Sequence, residues 1–516
     1  MLKPFAVALN LHDHNTYDGK FHNQVERYTR FKHNLPYHAE AYNHQSDILN
    51  PGDYRLNDEF IKKYFNDTTD IFNNYSLVNK GDILAFTYTY GGIRNSKEHL
   101  LQTVLKGHEE IFNFEPKKLW DYYYKDNIYY IDHHQSHATY AFFKSRYTHS
   151  DILAIDGIGS KYRCVFFDKH FNMTDLSDEL PIGWLWNHMS NLTGFGTLGA
   201  SKLMGKVGYG KYSEYYYQIF ETILDGPITE KKQKHFEHIK LDNIDDLAFT
   251  LQKFTIDKIK QYVYPLKTCN NLCVSGGVAY NGYMNEEFLN HYENVFVPPA
   301  VGDEGQSIGT YQHCLYTING SIHRSGTFSG TKYDYKGTEK VDYREVAQAI
   351  ADGKIVGWFQ GKSESGNRAL GNRSILADPR NPDIKNIING TIKMREDFRP
   401  FAPAVLEEHY QEYFDTRCPS PYMSRICKVK PDKIDKIPGV THIDGTARIQ
   451  TVTGDIYDRK FYNIINEFYK ITGIPMLLNT SFNCQEPIVE TPENAIRTFK
   501  KTDLDLLVID DWIIRK

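Results

Sequence analysis

The sequence lacks a run of about 18 apolar residues, the length needed for a membrane-spanning helix. It also lacks a Cys-x-x-Cys pair. The 7 cysteines are scattered from Cys164 to Cys484, which fits neither a disulfide framework nor a thiolate zinc site. Positive charge is not in excess, because the formal net charge is -5, so bulk attraction to nucleic acid or to an anionic membrane is not expected. The N-terminus has no signal-peptide pattern. We therefore expect a cytoplasmic protein with reduced thiols and small-molecule ligands.

The chain of 516 residues is too long for one ordinary core, so two or more domains are expected. Strand-like runs repeatedly end at Gly/Asp turns that open helices, namely at 5–11, 151–155, 272–275 and 294–297. This alternation predicts α/β layers with ligand groups at the carboxyl ends of strands. An amphipathic core helix is predicted within 242–267. The polar, Gly-rich stretch 317–340 is the best linker candidate, and a boundary near residue 335 gives domains 1–335 and 336–516.

A dense histidine segment, "IDHHQSHATYAFF" (131–143), follows a strand-like stretch and then turns apolar, which predicts the start of a helix. His133 and His137 would stand at i and i+4, about 5–6 Å apart at their Cβ atoms. Two such imidazoles can share one metal ion, although hydrogen-bonded histidines on a half-buried face give the same pattern. Asp303, in "VGDEGQSIGT", could complete a set that suits iron or manganese better than structural zinc. His134 is expected to be structural.

Two glycine turns follow predicted strands, "AIDGIGS" (154–160) and "VSGGVAYNG" (274–282). A glycine after a strand lets backbone N–H groups approach a phosphate, and a carboxylate beside it can hold a metal or position a water. The lysine-bearing loop "SKLMGKVGYGKY" (201–212) is also consistent with phosphate. Ordinary turns use the same residues, so both interpretations stay open. The candidate nucleotide-binding residues here are Asp156, Gly157, Gly159, Ser160, Lys202, Gly276, Gly277 and Asn281.

The second part of the chain carries a cationic stretch, 366–405, whose arginines and lysine lie near glycines and prolines. Guanidinium groups bind phosphate bidentately, so this pattern favours a polyanion such as ATP or carbamoyl phosphate. Arginines that cap loops through carbonyl groups are the alternative. Arg448 lies on a predicted strand. After the apolar run that ends near residue 478, Asn479, Thr480 and Ser481 supply short hydrogen-bonding side chains suited to a nucleotide or a carbamoyl amide.

The motifs resemble, in order and over nearly the whole length, the O-carbamoyltransferases of the NodU/CmcH type. The first part contributes "VERYTRFKH", "HHQSHA", "DGIGS", "SKLMG", "SGGVAYN" and "GDEGQSIG"; the second contributes "GNRALGNRSILADPR", "KMREDFRPFAPAVL", "ARIQTV" and "LNTSFN". The resemblance implies an actin-like (ASKHA) two-lobed, TsaD-type N-terminal domain and a C-terminal YrdC-like α/β domain. It also implies an enzyme that makes carbamoyl adenylate from carbamoyl phosphate and ATP, then transfers the carbamoyl group to an acceptor hydroxyl.

The resemblance also implies roles for individual residues. The positions that match the family's adenylation site are Arg368, Lys393, Arg399, Arg448, Thr480 and Ser481, while His133, His137 and Asp303 match its iron ligands. The implied cofactors are Fe²⁺, or another divalent transition metal, and ATP with Mg²⁺. The family's catalytic-histidine motif reads "HDHN" here, so His12 is the first candidate for the acceptor-activating base and His14 the second. Asn367 replaces the usual proline before Arg368.

The expected partners are carbamoyl phosphate, ATP and a hydroxyl-bearing small molecule, with a homodimer left open. The acceptor could be a sugar, a natural product or a hydroxymethylated nucleotide, because acceptor pockets are built from variable loops. One rival function is a threonylcarbamoyl transfer to tRNA, against which the net charge of -5 argues. The other rival is a non-catalytic actin-like nucleotide-binding protein, which predicts gaps in the motif set.

Overall fold

The computed structural model describes residues 4–9, 14–17, 83–88 and 109–516, apart from 127, 197–198, 227–240, 331, 455–458 and 485–487. The described residues form a mixed α/β structure with two five-stranded sheets and one ten-stranded sheet. The strands of the two smaller sheets are β1 (Pro4–Leu9), β2 (His14–Tyr17), β3 (Ile83–Tyr88), β4 (Tyr123–Lys125), β5 (Ile128–Tyr130), β6 (Asp151–Ile155), β7 (Cys164–Phe167), β8 (Met173–Asp175), β9 (Asn271–Ser275) and β10 (Asn294–Phe296).

The first sheet has the order β2-β1-β3-β5-β4, and the second has the order β10-β9-β6-β7-β8. Each sheet contains a parallel run, β1-β3-β5 in the first and β10-β9-β6 in the second, and is completed by antiparallel strands. Because parallel neighbours end at the same edge, the turns after β6, β9 and β10 are brought together. The four strand predictions at 5–11, 151–155, 272–275 and 294–297 are confirmed, with ends within one residue where the structure describes them; residues 10 and 11 lie outside the described residues.

The main helices of this part are His133–Ser145, Ile182–Leu192, Ala200–Gly205, Glu214–Leu224, Ile244–Tyr262, Gly282–Glu287 and Gln306–Asn319. The predicted core helix within 242–267 is confirmed as Ile244–Tyr262, and Leu247, Leu251 and Phe254 on its apolar face are fully buried. The prediction at 131–143 is likewise confirmed, since a helix begins at His133.

Two of these helices lie between the smaller sheets. Helix His133–Ser145 packs on β6 and β9, helix Gln306–Asn319 packs on β1 and β3, and the two helices pack on each other. Their contact is close at Gly309, where an added Cβ would lie 1.9 Å from the carbonyl oxygen of Ser136. The hydroxyls of Ser136 and Thr310 share a hydrogen bond of 3.0 Å beside it. The N-terminal ends of both helices therefore face the same space between the sheets.

The ten-stranded sheet is built from the chain after residue 338, in the order β11-β20-β19-β12-β13-β18-β14-β17-β16-β15. Its strands are β11 (Glu339–Lys340), β12 (Val356–Phe359), β13 (Arg373–Ala377), β14 (Ala402–Leu406), β15 (Phe414–Asp415), β16 (Arg425–Val429), β17 (Thr446–Val452), β18 (Met476–Ser481), β19 (Leu506–Ile509) and β20 (Trp512–Arg515). The accompanying helices are Tyr343–Ala351, Ile384–Ile387, Tyr410–Tyr413, Arg459–Thr472 and Pro492–Lys501, with a π-helical segment at Ile388–Lys393. A large apolar core lies between this sheet and its helices.

The predicted linker, 317–340, starts too early, because helix Gln306–Asn319 continues three residues into it and ends at Gly320, whose φ is +69°. The rest of the stretch packs against both parts of the chain. Lys144 donates from helix His133–Ser145 to the carbonyl oxygen of Ser325 at 2.7 Å, and Ser365 donates its backbone N–H to Thr327 at 2.8 Å. All seven cysteines are free thiols. Within the described residues no helix has both the length and the apolar character needed to cross a membrane.

Candidate functional site

Four side chains converge where the two central helices begin. His133 and His137 come from the first turns of helix His133–Ser145, Asp156 directly follows β6, and Asp303 lies in the turn before helix Gln306–Asn319. One ligand atom from each of them lies within 4.8 Å of the others. We call this set the histidine–aspartate cluster. The predicted ligands His133, His137 and Asp303 are thus brought together, and Asp156, predicted as a phosphate-loop residue, joins them.

The histidine and carboxylate groups of the cluster are in direct contact. The Nε2 atom of His137 lies 3.2 Å from Asp156 Oδ2 and 3.4 Å from Asp303 Oδ1. The Nε2 atom of His133 lies 3.8 Å and 3.6 Å from the same two oxygens. Apart from these carboxylates, the ring nitrogens of the two histidines have no hydrogen-bond partner among the described residues, although both rings are fully buried. Two imidazoles and two carboxylates form a donor set that suits Fe²⁺ or Mn²⁺, so these residues fit the implied metal.

Electrostatics in the cluster are dominated by the histidine–carboxylate contacts. Burial lowers the pKa of His137, but its contacts with Asp156 and Asp303 outweigh burial and raise the pKa to about 9. Burial acts against ionisation of Asp156 as well, yet the two histidines hold its pKa well below the usual range. Burial and the neighbouring His133 and His137 hold the pKa of His134 well below its usual value. His134 is not one of the four cluster residues, and its structural role stays a prediction.

The start of the histidine helix is fixed by a capping box. Asp132 accepts from the backbone N–H of His134 at 2.9 Å, and Gln135 accepts from the backbone N–H of Asp132 at 3.0 Å. Ser160, a predicted nucleotide contact, donates its hydroxyl to the other carboxylate oxygen of Asp132. Its side chain is therefore placed to hold the helix end. Gly159 is required by proximity, because an added Cβ would lie 2.5 Å from the His134 ring.

Asp156 also joins the two glycine turns. One of its carboxylate oxygens accepts from the backbone N–H of Gly157 at 2.6 Å, and the other accepts from Gly277 at 2.8 Å. Gly276 adopts a φ of +93°, and an added Cβ there would lie 2.2 Å from the Ile155 carbonyl oxygen. The turns after β6 and β9 are thus held against each other with the cluster beside them. Asn281, by contrast, caps helix Gly282–Glu287 and donates to Gln252 at 2.8 Å.

The second part of the chain contains four arginines that are near enough to affect one another electrostatically. Burial, followed by Arg368 and Arg395, holds the pKa of Arg448 well below its usual range. Burial, followed by Arg399, lowers the pKa of Arg395 to about 9. Burial also lowers the pKa of Arg399, although Glu396 acts in the opposite direction. We call Arg368, Arg395, Arg399 and Arg448 the arginine cluster. The Nε atom of Arg448 has no hydrogen-bond partner among the described residues.

Lys393 lies at the end of the π-helical segment and is buried, with 4% of its surface exposed. It donates to the backbone oxygen of Ser481, to the Ser481 hydroxyl at 3.0 Å and to Asn483 Oδ1 at 2.6 Å. The next residue, Met394, has a left-handed conformation with a φ of +47°, which is uncommon for a side chain of this size. Such segments often mark functional positions. Lys393 is thus brought to the end of β18, beside Ser481.

Four predicted site residues remain to be located in the structure. Asn479 donates to the Ala369 carbonyl at 3.1 Å and to Gln450 at 2.7 Å, so it holds the loop that carries Arg368. Thr480 lies on β18, with its backbone paired to Ile375 of β13. His12 lies outside the described residues. His14 begins β2, where its backbone pairs with Leu9.

One aromatic residue lies between the two clusters. Tyr280 donates its hydroxyl to Glu304, the neighbour of the cluster residue Asp303. The guanidinium carbon of Arg368 lies 5.2 Å from the centre of the Tyr280 ring. Both side chains line a pocket together with Pro299 and Tyr422. Tyr280 therefore connects Arg368 of the arginine cluster to the turn that carries Asp303 of the histidine–aspartate cluster.

Comparison with known proteins identifies the family. The family described as "Carbamoyltransferase N-terminus" matches residues 31–311, and that described as "Carbamoyltransferase C-terminus" matches 347–516. The chain belongs to the carbamoyltransferase family. This carbamoyltransferase is therefore an enzyme, as predicted, and the resemblance to the NodU/CmcH type is confirmed.

Individual relatives align over different shares of the carbamoyltransferase. An uncharacterized protein of Synechocystis is 30% identical, over 96% of this chain and 92% of that protein. The nodulation protein NolNO of Sinorhizobium fredii is 33% identical, over 75% of this chain and 64% of its own length. The 3'-hydroxymethylcephem-O-carbamoyltransferase of Streptomyces clavuligerus is 34% identical, over 47% of this chain and 49% of that enzyme.

Sequence reasoning missed the position of Asp156 beside the two histidines and did not assign Arg395 to the adenylation site. In both cases a signal was available. Asp156 follows a fully buried strand, as do other carboxylates that hold a metal beside phosphate. Arg395 lies two residues after Lys393. Its neighbour Glu396 gave no signal, because its contact with Lys202 joins distant parts of the chain.

Proposed function

We propose that this carbamoyltransferase makes carbamoyl adenylate at the arginine cluster and transfers the carbamoyl group to a hydroxyl at the histidine–aspartate cluster. In the first step, water releases phosphate from carbamoyl phosphate, and an oxygen of the resulting carbamate attacks the α-phosphorus of ATP. Pyrophosphate leaves. In the second step, the acceptor oxygen attacks the carbamoyl carbon and gives its proton to a base, and AMP leaves. The products are a carbamate ester and AMP.

The main support for the first step is the crowding of the four arginines. Bringing like charges together in a partly desolvated place is costly, and a bound polyanion offsets both the repulsion and the lost hydration. ATP and carbamoyl phosphate are polyanions of this kind, and guanidinium groups match their phosphate oxygens. Lys393 and the end of β18 lie beside this region with short polar side chains, in keeping with a nucleotide site.

For the second step, the histidine–aspartate cluster would hold the divalent metal through His133, His137, Asp156 and Asp303. Such a cation, Fe²⁺ in our proposal, supplies charge that offsets phosphate and polarises an oxygen ligand. The glycine turns after β6 and β9 place backbone N–H groups next to the cluster. We propose His12 as the acceptor-activating base and His14 as the second choice. A hydroxyl acceptor is supported by the O-carbamoylation named for the Streptomyces clavuligerus relative.

The fold proposal follows the same division. Two five-stranded sheets with a helix pair between them support an actin-like first domain, and a separate ten-stranded sheet supports a YrdC-like second domain. The start of that sheet at Glu339 supports a boundary near residue 335. The contacts of Tyr280 with Glu304 and Arg368 bring the two clusters near each other, and this nearness supports direct transfer of the adenylate, which would protect it from hydrolysis.

The decisive experiment measures pyrophosphate release from ATP in the presence of carbamoyl phosphate and Mg²⁺ without an acceptor. We expect release by the wild type and a loss of about 10²–10³-fold in Arg448→Met, the size typical of losing a preorganised charge donor. Arg344→Met removes an exposed arginine from the same half and serves as the matched control. Release that requires threonine and bicarbonate, and not carbamoyl phosphate, would overturn the proposal in favour of threonylcarbamoyl chemistry.

A further inference from the structure

Glu396 lies between the arginine cluster and the first part of the chain. Its Oε2 atom lies 3.0 Å from Arg399 Nε, and its Oε1 atom lies 3.0 Å from Lys202 Nζ. Lys202 belongs to helix Ala200–Gly205, about 190 residues earlier in the chain. One carboxylate therefore joins a cluster arginine to a lysine from the other half.

Other contacts hold the same loop against the first part. The ring of Phe398 lies 6.0 Å from that of Phe195, and Lys206 Nζ lies 4.5 Å from the centre of the Phe398 ring. Gly205 lies beside this ring, and an added Cβ there would be in ordinary van der Waals contact with it at 3.5 Å. The segment 395–401, which carries two cluster arginines, is thus seated on helix Ala200–Gly205 and its surroundings.

The geometry of the Glu396 contact determines what it can do. A carboxylate at Nε occupies one edge of a guanidinium, and the edge formed by the two Nη groups is geometrically separate. The contact at Nε is an ion pair without hydrogen-bond geometry, so Glu396 attracts the Arg399 side chain to its own position and leaves the edge of the two Nη groups for a ligand. Its negative charge also offsets the repulsion that Arg399 exerts on Arg395.

We propose that Glu396 is a positioning residue, oriented by Lys202, that sets Arg399 for polyanion binding, so that the anion site depends on contact between the two halves. The proposal rests on the proposed function only in naming ATP as the polyanion. The sequence predicts Lys202 as a phosphate ligand. In this proposal Lys202 acts indirectly, by orienting Glu396.

The test compares the affinity for ATP, measured by calorimetry, with the KM for ATP in pyrophosphate release. Glu396→Gln keeps the shape and removes the charge, and we expect ATP to bind about tenfold more weakly, with kcat changed much less than KM. The effect should vanish in the background of Arg399→Met, so that the double variant binds ATP like Arg399→Met alone. Lys202→Arg should retain wild-type affinity, whereas Lys202→Met should weaken it.

Exchanging the charges of Lys202 and Glu396 distinguishes two roles for Glu396: positioning Arg399, or only joining the two halves of the chain. Lys202→Glu with Glu396→Lys restores an ion pair but places a cation beside Arg399, so we expect ATP affinity to stay low. Recovery to wild-type affinity in the swap, or additive losses with Arg399→Met, would overturn the proposal. The control is Lys260→Met, which breaks the 2.8 Å ion pair with Glu287 away from this loop and should bind ATP normally.

Binding and catalysis also distinguish the two proposals. If the wild type binds ATP but releases no pyrophosphate with carbamoyl phosphate, the proposed adenylation fails, and the role of Glu396 is still judged from ATP affinity. If Arg399→Met binds ATP as tightly as the wild type, the role of Glu396 fails whatever the catalytic result.

Discussion

Metal binding at the histidine–aspartate cluster should depend steeply on pH, because a proton occupies one of its ligands. Burial lowers the pKa of His137, but Asp156 and Asp303 outweigh it and raise the pKa to about 9. A metal binds neutral imidazole, so below pH 9 each binding event must release about one proton. The apparent association constant should then rise about tenfold per pH unit. Between pH 6.5 and 8.5 this amounts to about 100-fold, or about 2.7 kcal/mol.

The sign of this dependence follows from the direction of the shift. A raised pKa means that the ion-paired, protonated His137 stabilises the metal-free protein fully below about pH 6.5, and that this stabilisation is lost as the pH rises through about 9. Metal competes with that proton. Metal affinity and the stability of the metal-free protein should therefore change in opposite directions over the same pH window.

The assay is a Co²⁺ titration of metal-free protein against a chelator at pH 6.5, 7.5 and 8.5, corrected for the chelator's own protonation. Calorimetry in two buffers of different ionisation enthalpy counts the released protons. His137→Ala should bind more weakly and lose most of the slope. The control is His149→Asn at an exposed position, and this variant should keep the wild-type dependence of metal affinity on pH. Tight binding by the wild type with no pH dependence would refute a protonated His137 as a ligand.

Three further predictions address other residues of the two sites. Asp156→Asn should lower the bound metal measured by elemental analysis, whereas an unchanged content would remove Asp156 from the ligand set. Lys393→Ala should reduce pyrophosphate release about 10²–10³-fold; because Lys393 makes three internal hydrogen bonds, thermal unfolding must show that the variant is folded. His12→Asn should still release pyrophosphate but carbamoylate no acceptor, as measured by mass spectrometry of the product. His14→Asn should lose less of the carbamoyl transfer. Loss of both activities in His12→Asn would mean that another residue is the base.

Much of the first part could be predicted from the sequence because its signals are local. The i and i+4 spacing of His133 and His137 requires only a helix, and that helix is observed. The convergence of Asp303 required one more inference, that turns after neighbouring parallel strands share an edge. Asp156 lies on the same edge, and its inclusion could have been inferred from the same rule.

The partners of the small polar residues could not be predicted. A serine after a glycine turn can face a ligand or a neighbouring main chain with equal ease, because a buried hydroxyl requires only some partner. Ser160 donates to Asp132, Asn281 caps a helix, and Asn479 holds Gln450, so these side chains support the site's backbone. The sequence predicts that these side chains form hydrogen bonds, but only the tertiary structure determines their partners.

The partners of long charged side chains are also hard to predict, because these partners can come from positions far apart in the sequence. Lys202 and Glu396 are in different family regions, 31–311 and 347–516, and no periodicity connects them. Their pairing exists because Phe398 seats the arginine-bearing loop on helix Ala200–Gly205. Another contact between the halves, Arg368 over Tyr280, lies next to the turn of Asp303. The arginine cluster is thus held at two of its members by the first part of the chain. An anion site assembled in this way depends on both halves, and under the proposed function it would hold the adenylate beside the turn that carries Asp303.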